Sequence, residues 1–426
     1  MHNLTSRTLA LAAALLPAAA ALPAAADPVS ILFVGNSYTF GRVDPVMSYN
    51  AANVHDLTAA FNAINPSGTN SYPIGTPGQG TYEQHPWGGV PGLFKKMTDE
   101  AGLNYDVSIS ARNAASLRGQ FLNTANSAWD LRGNVASQTW DAVVLQEQSD
   151  AALPPGKGKN ANLATFNAYA DQFETYIHNG AAQTYTEAQL FGSLAACQAT
   201  GLSSGSCNTT RNIPQNTNAS ADTKVYLEQT WARPDMVEAH LNTVADDNSP
   251  TGAPIVSDGS SATLYYDSLG AMTADLHTDF YAKAASNPGF AGVLPVGDAF
   301  QRAVDQGLVL GSGFYNADGT YVEPSDGSIN LWWLDRLHAS MYGSYLSALT
   351  TFGSITGIDP LSLGAGELAA SDIGIDPAAA LMLQRVASEQ LGFTAAVPEP
   401  ASALMFGGGL LALFGWRRRS GATRGA

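Results

Sequence analysis

Four short apolar runs constrain this chain most: "SILFVG" at 30–35, "YDVSISA" at 105–111, "WDAVVLQ" at 140–146 and "KVYLEQTW" at 224–231. The first reads as a compact buried strand, the second alternates like a strand, the third reads as a central strand and the fourth as another, and longer stretches with helical spacing separate them. "VPGLFKKMTDEAG" has that spacing and ends in glycine, and "TFNAYADQFETYIHNG" is amphipathic with Gly180 as its stop. "DAFQRAVDQG" reads as a helix opened by Asp298 as N-cap, and "YGSYLSALTTFGSITG" and "PAAALMLQRVASEQLG" close the pattern as helices. Strand and helix in alternation predict an α/β fold with a mostly parallel central sheet. Polar, glycine-rich insertions at about 65–90 and 198–222 are expected to be loops that shape a cleft.

The two ends read as processing signals. Residues 1–26 carry Arg7, then "LALAAALLPAAAAL", then "AAA" before Asp27, the pattern of a cleaved secretory signal. At the other end Val397-Pro398-Glu399-Pro400 precedes the apolar span Ala401–Trp416, and Arg417, Arg418 and Arg419 follow at once. The span is shorter than the ~20 residues of a full membrane-crossing helix, and an arginine cluster of this kind stays on the cytoplasmic side. This arrangement resembles a PEP-CTERM sorting signal, which implies a tail (397–426) that holds the chain at the membrane until an exosortase removes it. Between the ends lies one expected domain, residues 27–396.

The chain of 426 residues carries a formal net charge of −16, and removing the basic tail leaves the rest more acidic still. Such a surface repels phosphate backbones, which excludes nucleic acid as an expected partner. The two cysteines, Cys197 and Cys207, stand close together in "ACQATGLSSGSC", and in an exported chain they most simply form one disulfide. No metal site is predicted, because neither more sulfur nor a histidine cluster accompanies them.

Three separated pieces carry chemistry. In "VGNSYTFG" a glycine after the first strand lets the chain turn sharply, so that Ser37 emerges above the carboxyl edge of the sheet. In "WWLDRLHAS" Asp335 and His338 are three apart, a spacing that on a helical turn puts carboxylate and imidazole on one face. The carboxylate can then hold the imidazole in the tautomer whose other nitrogen accepts a serine proton. None of the other six histidines has an acidic residue three positions before it. In "VVLQEQS" Gln146 and Gln148 alternate at a strand end, where a side-chain amide can donate to an oxyanion.

Taken in order, these pieces resemble the SGNH hydrolases, the GDSL-like esterase superfamily, over residues 31 to about 355. Gly35-Asn36-Ser37 matches the nucleophile block with asparagine in place of aspartate, and "LQEQS" matches one branch of the superfamily. In "SARNAASLRG" Ala115 stands where the family has an oxyanion glycine, and Gln148, with Gln146 as the fallback, takes the place of the family's asparagine. Asp335-x-x-His338 matches the block that precedes the last helix.

The resemblance implies a three-layer α/β/α sandwich of flavodoxin-like type, with Ser37 as nucleophile and His338 as base oriented by Asp335. Its oxyanion donors would be Ser37 N–H, Ala115 and a glutamine amide, and it requires no cofactor. The expected activity is hydrolysis of an ester, such as an O-acetyl group on extracellular carbohydrate. A glycan-binding protein that keeps the fold without the activity, and a lipid-directed esterase, are the alternatives.

Overall fold

The computed structural model describes residues 27–393, apart from 43, 61–84, 124–129, 246–253, 317, 319–320, 323 and 325–326. The expected signal segment 1–26, the tail 397–426 and most of the 65–90 insertion therefore lie outside the described residues.

Six parallel strands form the central sheet: β1 Val29–Gly35, β2 His55–Asp56, β3 Tyr105–Ala111, β4 Ala142–Gln146, β7 Lys224–Glu228 and β10 Phe290–Leu294. Two antiparallel pairs stand apart from it, β5 Gln183–Thr186 with β6 Thr210–Ile213, and β8 Leu241–Ala245 with β9 Pro254–Ser261. In the sheet the order is β2-β3-β1-β4-β7-β10, so the chain moves from β1 to β3 on one side and then crosses back to β4 on the other. That reversal makes a switch point at the carboxyl ends of β1 and β4, the place where open parallel sheets leave a crevice. Strand β4 is buried along its whole length, and in β1 Ile31, Leu32, Phe33 and Val34 expose nothing.

Helices cover both faces, as right-handed crossovers in opposite directions require. On one face lie α1 Ser37–Phe40, α2 Gly89–Glu100, α6 Val296–Asp305 and α7 Met341–Thr356, with α8 Pro377–Gln390 packed behind α6 and α7. Phe33 meets Phe94 of α2 edge-on, with ring centroids 5.6 Å apart. On the other face lie α3 Leu117–Leu122, α4 Leu163–His178 and α5 Leu269–Ser286, where Phe121 packs on Phe173 at 5.0 Å and Phe166 on Phe280 at 4.8 Å. The three-layer α/β/α sandwich is therefore the observed architecture.

Several local expectations need correction. Helix α6 begins at Val296 with Pro295 as its cap residue, so Asp298 sits inside the first turn rather than at the N-cap. Its carboxylate accepts from Gln229 Nε2 at 2.8 Å and pairs with His277 Nδ1 at 2.8 Å. The 198–222 insertion is not simply a loop. It contains the helix Ser204–Asn208, Cys207 bonded to Cys197, and β6, which pairs with β5. Buried Glu187 fastens this extension to the body by accepting from Arg118 of α3 and from Arg211 of β6. Burial opposes ionisation there, but the two arginines and Tyr169 outweigh it and hold the carboxyl down at about 2. Periodicity predicts neither β10 nor α5, and in β10 Gly292 interrupts a strand of only five residues.

At Gly89, the first residue of α2, φ is 63°, and a Cβ there would lie 2.6 Å from the Phe40 backbone of α1. A side chain is thus excluded by both conformation and space. Gly89→Ala is expected to lower unfolding free energy by about 2 kcal/mol or more, read from urea melts, and a loss under ~0.5 kcal/mol contradicts this packing.

Candidate active site

The turn after β1 is held by one side chain. Asn36 caps α1 by accepting from Tyr38 N at 3.1 Å, and its own N–H donates to Gln146 Oε1 at 3.0 Å. Its Nδ2 donates to the carbonyls of Ala115 at 3.0 Å and Glu147 at 3.4 Å, so it ties the loops after β1, β3 and β4 together. An aspartate cannot make those two donations, which gives the asparagine in this block a physical reason. Ser37, the first residue of α1, is 5% exposed, and the helix start leaves its N–H without an intrahelical partner.

Ser37 Oγ lies 2.8 Å from His338 Nε2, across 301 positions of sequence. On the far side of the ring Nδ1 lies 2.6 Å from Asp335 Oδ2. An ionised carboxylate only accepts, so Nδ1 carries the proton and Nε2 is left to accept from the serine hydroxyl. The structure thus brings together the three residues singled out in the sequence.

Asp335 and His338 do not share a helix, however. Trp332 and Ala339 form an antiparallel bridge, Trp333 N donates to His338 O at 2.7 Å, and the four residues between form a tight turn. Asp335 Oδ1 accepts from the N–H groups of Leu337 at 3.0 Å and His338 at 2.9 Å, which folds the carboxylate back under the ring. Arg336 takes the left-handed conformation, φ 56°, and its guanidinium donates to Trp333 O and Val322 O. The turn runs directly into α7, and α8 still follows, so the block does not precede the last helix.

Burial is the largest influence on His338 and pulls its pKa below the ordinary histidine value, although Asp335 pulls the other way; Arg42 and Arg233 add to the depression. For Asp335 burial acts upward, but the His338 ring with its hydrogen bond, and Arg42 beyond it, outweigh that and hold the carboxyl well below the usual range. At neutral pH the pair is therefore a neutral imidazole on an ionised carboxylate.

The expected oxyanion donors are placed differently. Ala115 N–H is already donated to Arg112 O at 3.2 Å, and the Ala115 carbonyl accepts from Asn36 and from Gln120 Nε2 at 3.1 Å. The positive φ that a glycine would take falls on Ala114, at 55°. Gln146 is fully buried, accepts from Asn36 N and from Thr39 Oγ1 at 3.1 Å, and donates to the Glu147 carbonyl. Its amide is thereby committed to fixing α1. Gln148, half-buried at the loop surface, has a side chain without these commitments, and its N–H donates to Glu147 Oε1 at 2.6 Å.

Residues that the sequence did not single out frame the site. Tyr38 stacks on Trp231 at 3.9 Å and Trp231 on Phe300 at 4.9 Å, and both Tyr38 Oη and Trp231 Nε1 donate to Leu337 O. Arg233 donates from Nη1 to Ser149 Oγ at 3.0 Å and Asp150 Oδ1 at 3.2 Å, and from Nε to Asp235 at 2.9 Å. Buried Glu147, raised to about 7 by burial, accepts from Leu117 N at 3.0 Å. Tyr38 beside Ser37, and Glu147 and Ser149 within the glutamine block, have a local signal; the rest converge from loops distant in sequence. Among the described residues no group of three or more His, Cys, Asp or Glu side chains is placed to hold a metal ion.

A family model for the PEP-CTERM protein-sorting motif matches residues 396–419, which indicates export to the cell surface or beyond and exosortase-dependent sorting. Among the described residues no helix is long and apolar enough to cross a membrane, and Ala401–Trp416 lies outside them. No curated protein matches the chain. Solved structures to which it is similar include a DUF4886 family protein from Bacteroides uniformis, at 13% identity and TM-score 0.37, covering 88% of this chain and 99% of that one. A provisionally assigned SGNH hydrolase from Slackia heliotrinireducens is 13% identical with TM-score 0.33, covering 77% and 100%. Phospholipase A1 from Streptomyces albidoflavus is 12% identical with TM-score 0.29, covering 76% and 99%.

The Asn36 bridge makes a direct prediction. Asn36→Asp keeps the cap but sets a carboxylate against two carbonyls, and is expected to cost about 1–3 kcal/mol in urea unfolding, more at pH 8 than at pH 4. Equal stability of the variant and the parent at both pH values contradicts the bridge.

Proposed function

We propose that this chain is an exported serine ester hydrolase of the SGNH type that removes O-acetyl or similar small acyl groups from extracellular carbohydrate. The observation that carries the reading is the 2.8 Å approach of Ser37 Oγ to a His338 ring whose other nitrogen is held by Asp335. In this reading Ser37 Oγ attacks the acyl carbon while its proton passes to His338 Nε2. The Ser37 N–H and the Gln148 side chain stabilise the oxyanion, the Ala115 N–H being already donated to Arg112 O. Collapse expels the alcohol, which takes the proton from His338 and leaves an acyl group on Ser37. Water then attacks the acyl carbon while giving a proton to His338, the acyl–Oγ bond breaks, His338 returns that proton to Ser37 Oγ, and the acid leaves. No step calls for a metal or an organic cofactor. The C-terminal segment anchors the chain in the membrane until the exosortase cuts it.

Hydrolysis of 4-nitrophenyl acetate by residues 27–396 should fall about a thousand-fold or more in Ser37→Ala, with loss of fluorophosphonate labelling at that residue. Equal rates in the two proteins would favour a glycan binder that keeps the fold, and a preference for long-chain esters over acetyl esters would favour the lipid-directed reading.

A pH dependence follows from the burial of His338. The base must be neutral, and burial lowers its pKa, so kcat/KM should fall as pH drops through a midpoint below the ordinary histidine value of 6.5. A midpoint above 7.5 in the same assay would contradict the neutral buried imidazole.

A further inference from the structure

A cavity of about 400 Å³, to which no triad residue contributes, has a lining that includes Lys157, Val237, Leu264, Tyr265, Tyr266 and Asp267. Lys157 belongs to the loop between β4 and α4, and the other five to the segment between β7 and α5. Both connections leave the carboxyl ends of strands, so the cavity opens at the same edge of the sheet as Ser37.

Its walls share the frame of the active site. Asp150 accepts from Asn160 N at 2.8 Å and Asn160 Nδ2 at 3.1 Å, which folds the Lys157 loop back over it. The fold is tight there, since a Cβ on Gly158 would come within 2.5 Å of the Asp150 carboxylate. The same carboxylate accepts from Arg233, whose other arm holds Asp235, and the neighbouring Met236 carbonyl accepts from Tyr265 N at 2.9 Å. Ser149, also bound to Arg233, accepts through its carbonyl from Thr230, next to the Trp231 that stacks on Tyr38. Tyr266 is fixed by donation to Asp275 at 2.9 Å, and Lys157 Nζ stands 5.1 Å from its ring centroid.

The composition selects a ligand class. Tyrosine rings and Leu264 offer apolar faces, Lys157 donates, Asp267 accepts, and the two charges cancel. A neutral sugar has complementary chemistry: C–H faces for the rings, and hydroxyls that both donate and accept. An acyl chain would strip water from Lys157 and Asp267 without replacing its hydrogen bonds. A volume of this size falls within the ~300–1,000 Å³ common for small-ligand sites.

We infer that this cavity is a sugar-binding subsite that holds a neutral glycosyl unit of the polymer whose ester group reaches Ser37. The inference rests on the esterase reading for its catalytic consequence, but the binding itself does not require hydrolysis.

The test therefore has two readouts, with O-acetylated xylo-oligosaccharides and O-acetylated cello-oligosaccharides as probes. Calorimetry on Ser37→Ala should show saturable binding of at least one probe, weakened ten-fold or more when Tyr265→Ala is added. In the active chain Tyr265→Ala, and the exposed-site variants Lys157→Ala and Leu264→Ala, should raise KM on the bound probe while 4-nitrophenyl acetate turnover stays within two-fold. Tyr265→Phe, which keeps the ring, should restore most of the binding. Binding that depends on Tyr265 without any hydrolysis would uphold the subsite while the esterase reading fails. Absence of binding to both probes, or binding indifferent to all three alanine variants, would overturn the subsite whatever the esterase assay shows.

Discussion

The contact between Ser37 Oγ and His338 Nε2, 2.8 Å long and spanning 301 positions, depends on where β1 lies in the sheet. Because β1 is flanked by β3 and β4, the turn after it opens at the switch point, with no strand end in front of it. The chain reaches β10 at the opposite side of the sheet before α6 leads it back, and the turn at 332–339 then returns over β1 just ahead of α7. Parallel strands demand such crossovers, and the crossovers bring the first and last parts of the domain to one edge.

Holding polar groups at that edge requires that each be paired, since an unpaired buried donor or acceptor costs more than a formed hydrogen bond returns. Asn36, Gln146 and Glu147 satisfy one another and the surrounding backbone in a closed network. Their cooperation explains why the Gln146 amide, the fallback oxyanion donor, is spent on structure. Burial also sets the electrostatics: it keeps His338 neutral, while the compact Asp335 turn keeps the carboxylate ionised against the same burial.

Much of the site was legible because its chemistry is local. A glycine before Ser37 and a carboxylate three residues before His338 are short-range signals, and four of the six sheet strands declare themselves by short apolar or alternating runs. What misled was equally local. Spacing of three suggested a helical turn at Asp335, yet the Trp332–Ala339 bridge and the left-handed Arg336 make a different turn with the same juxtaposition. Ala115 stands where the family has a glycine, whereas the conformation a glycine would favour belongs to Ala114. Asp298 resembled a cap, but Pro295 starts the helix one turn earlier in space and leaves Asp298 to bind Gln229 and His277.

Periodicity by itself determined the class of the fold, while short contiguous motifs, through their resemblance to known families, carried the triad side chains and the sorting signal at the C-terminus. Tertiary structure alone decided which amides remain available, how Arg233 joins the loops after β4 and β7, and that a cavity forms between the loops that follow those two strands. Those features arise between segments far apart in the chain, where packing rather than local preference chooses the partner, and no short window of sequence contains both sides of such a contact.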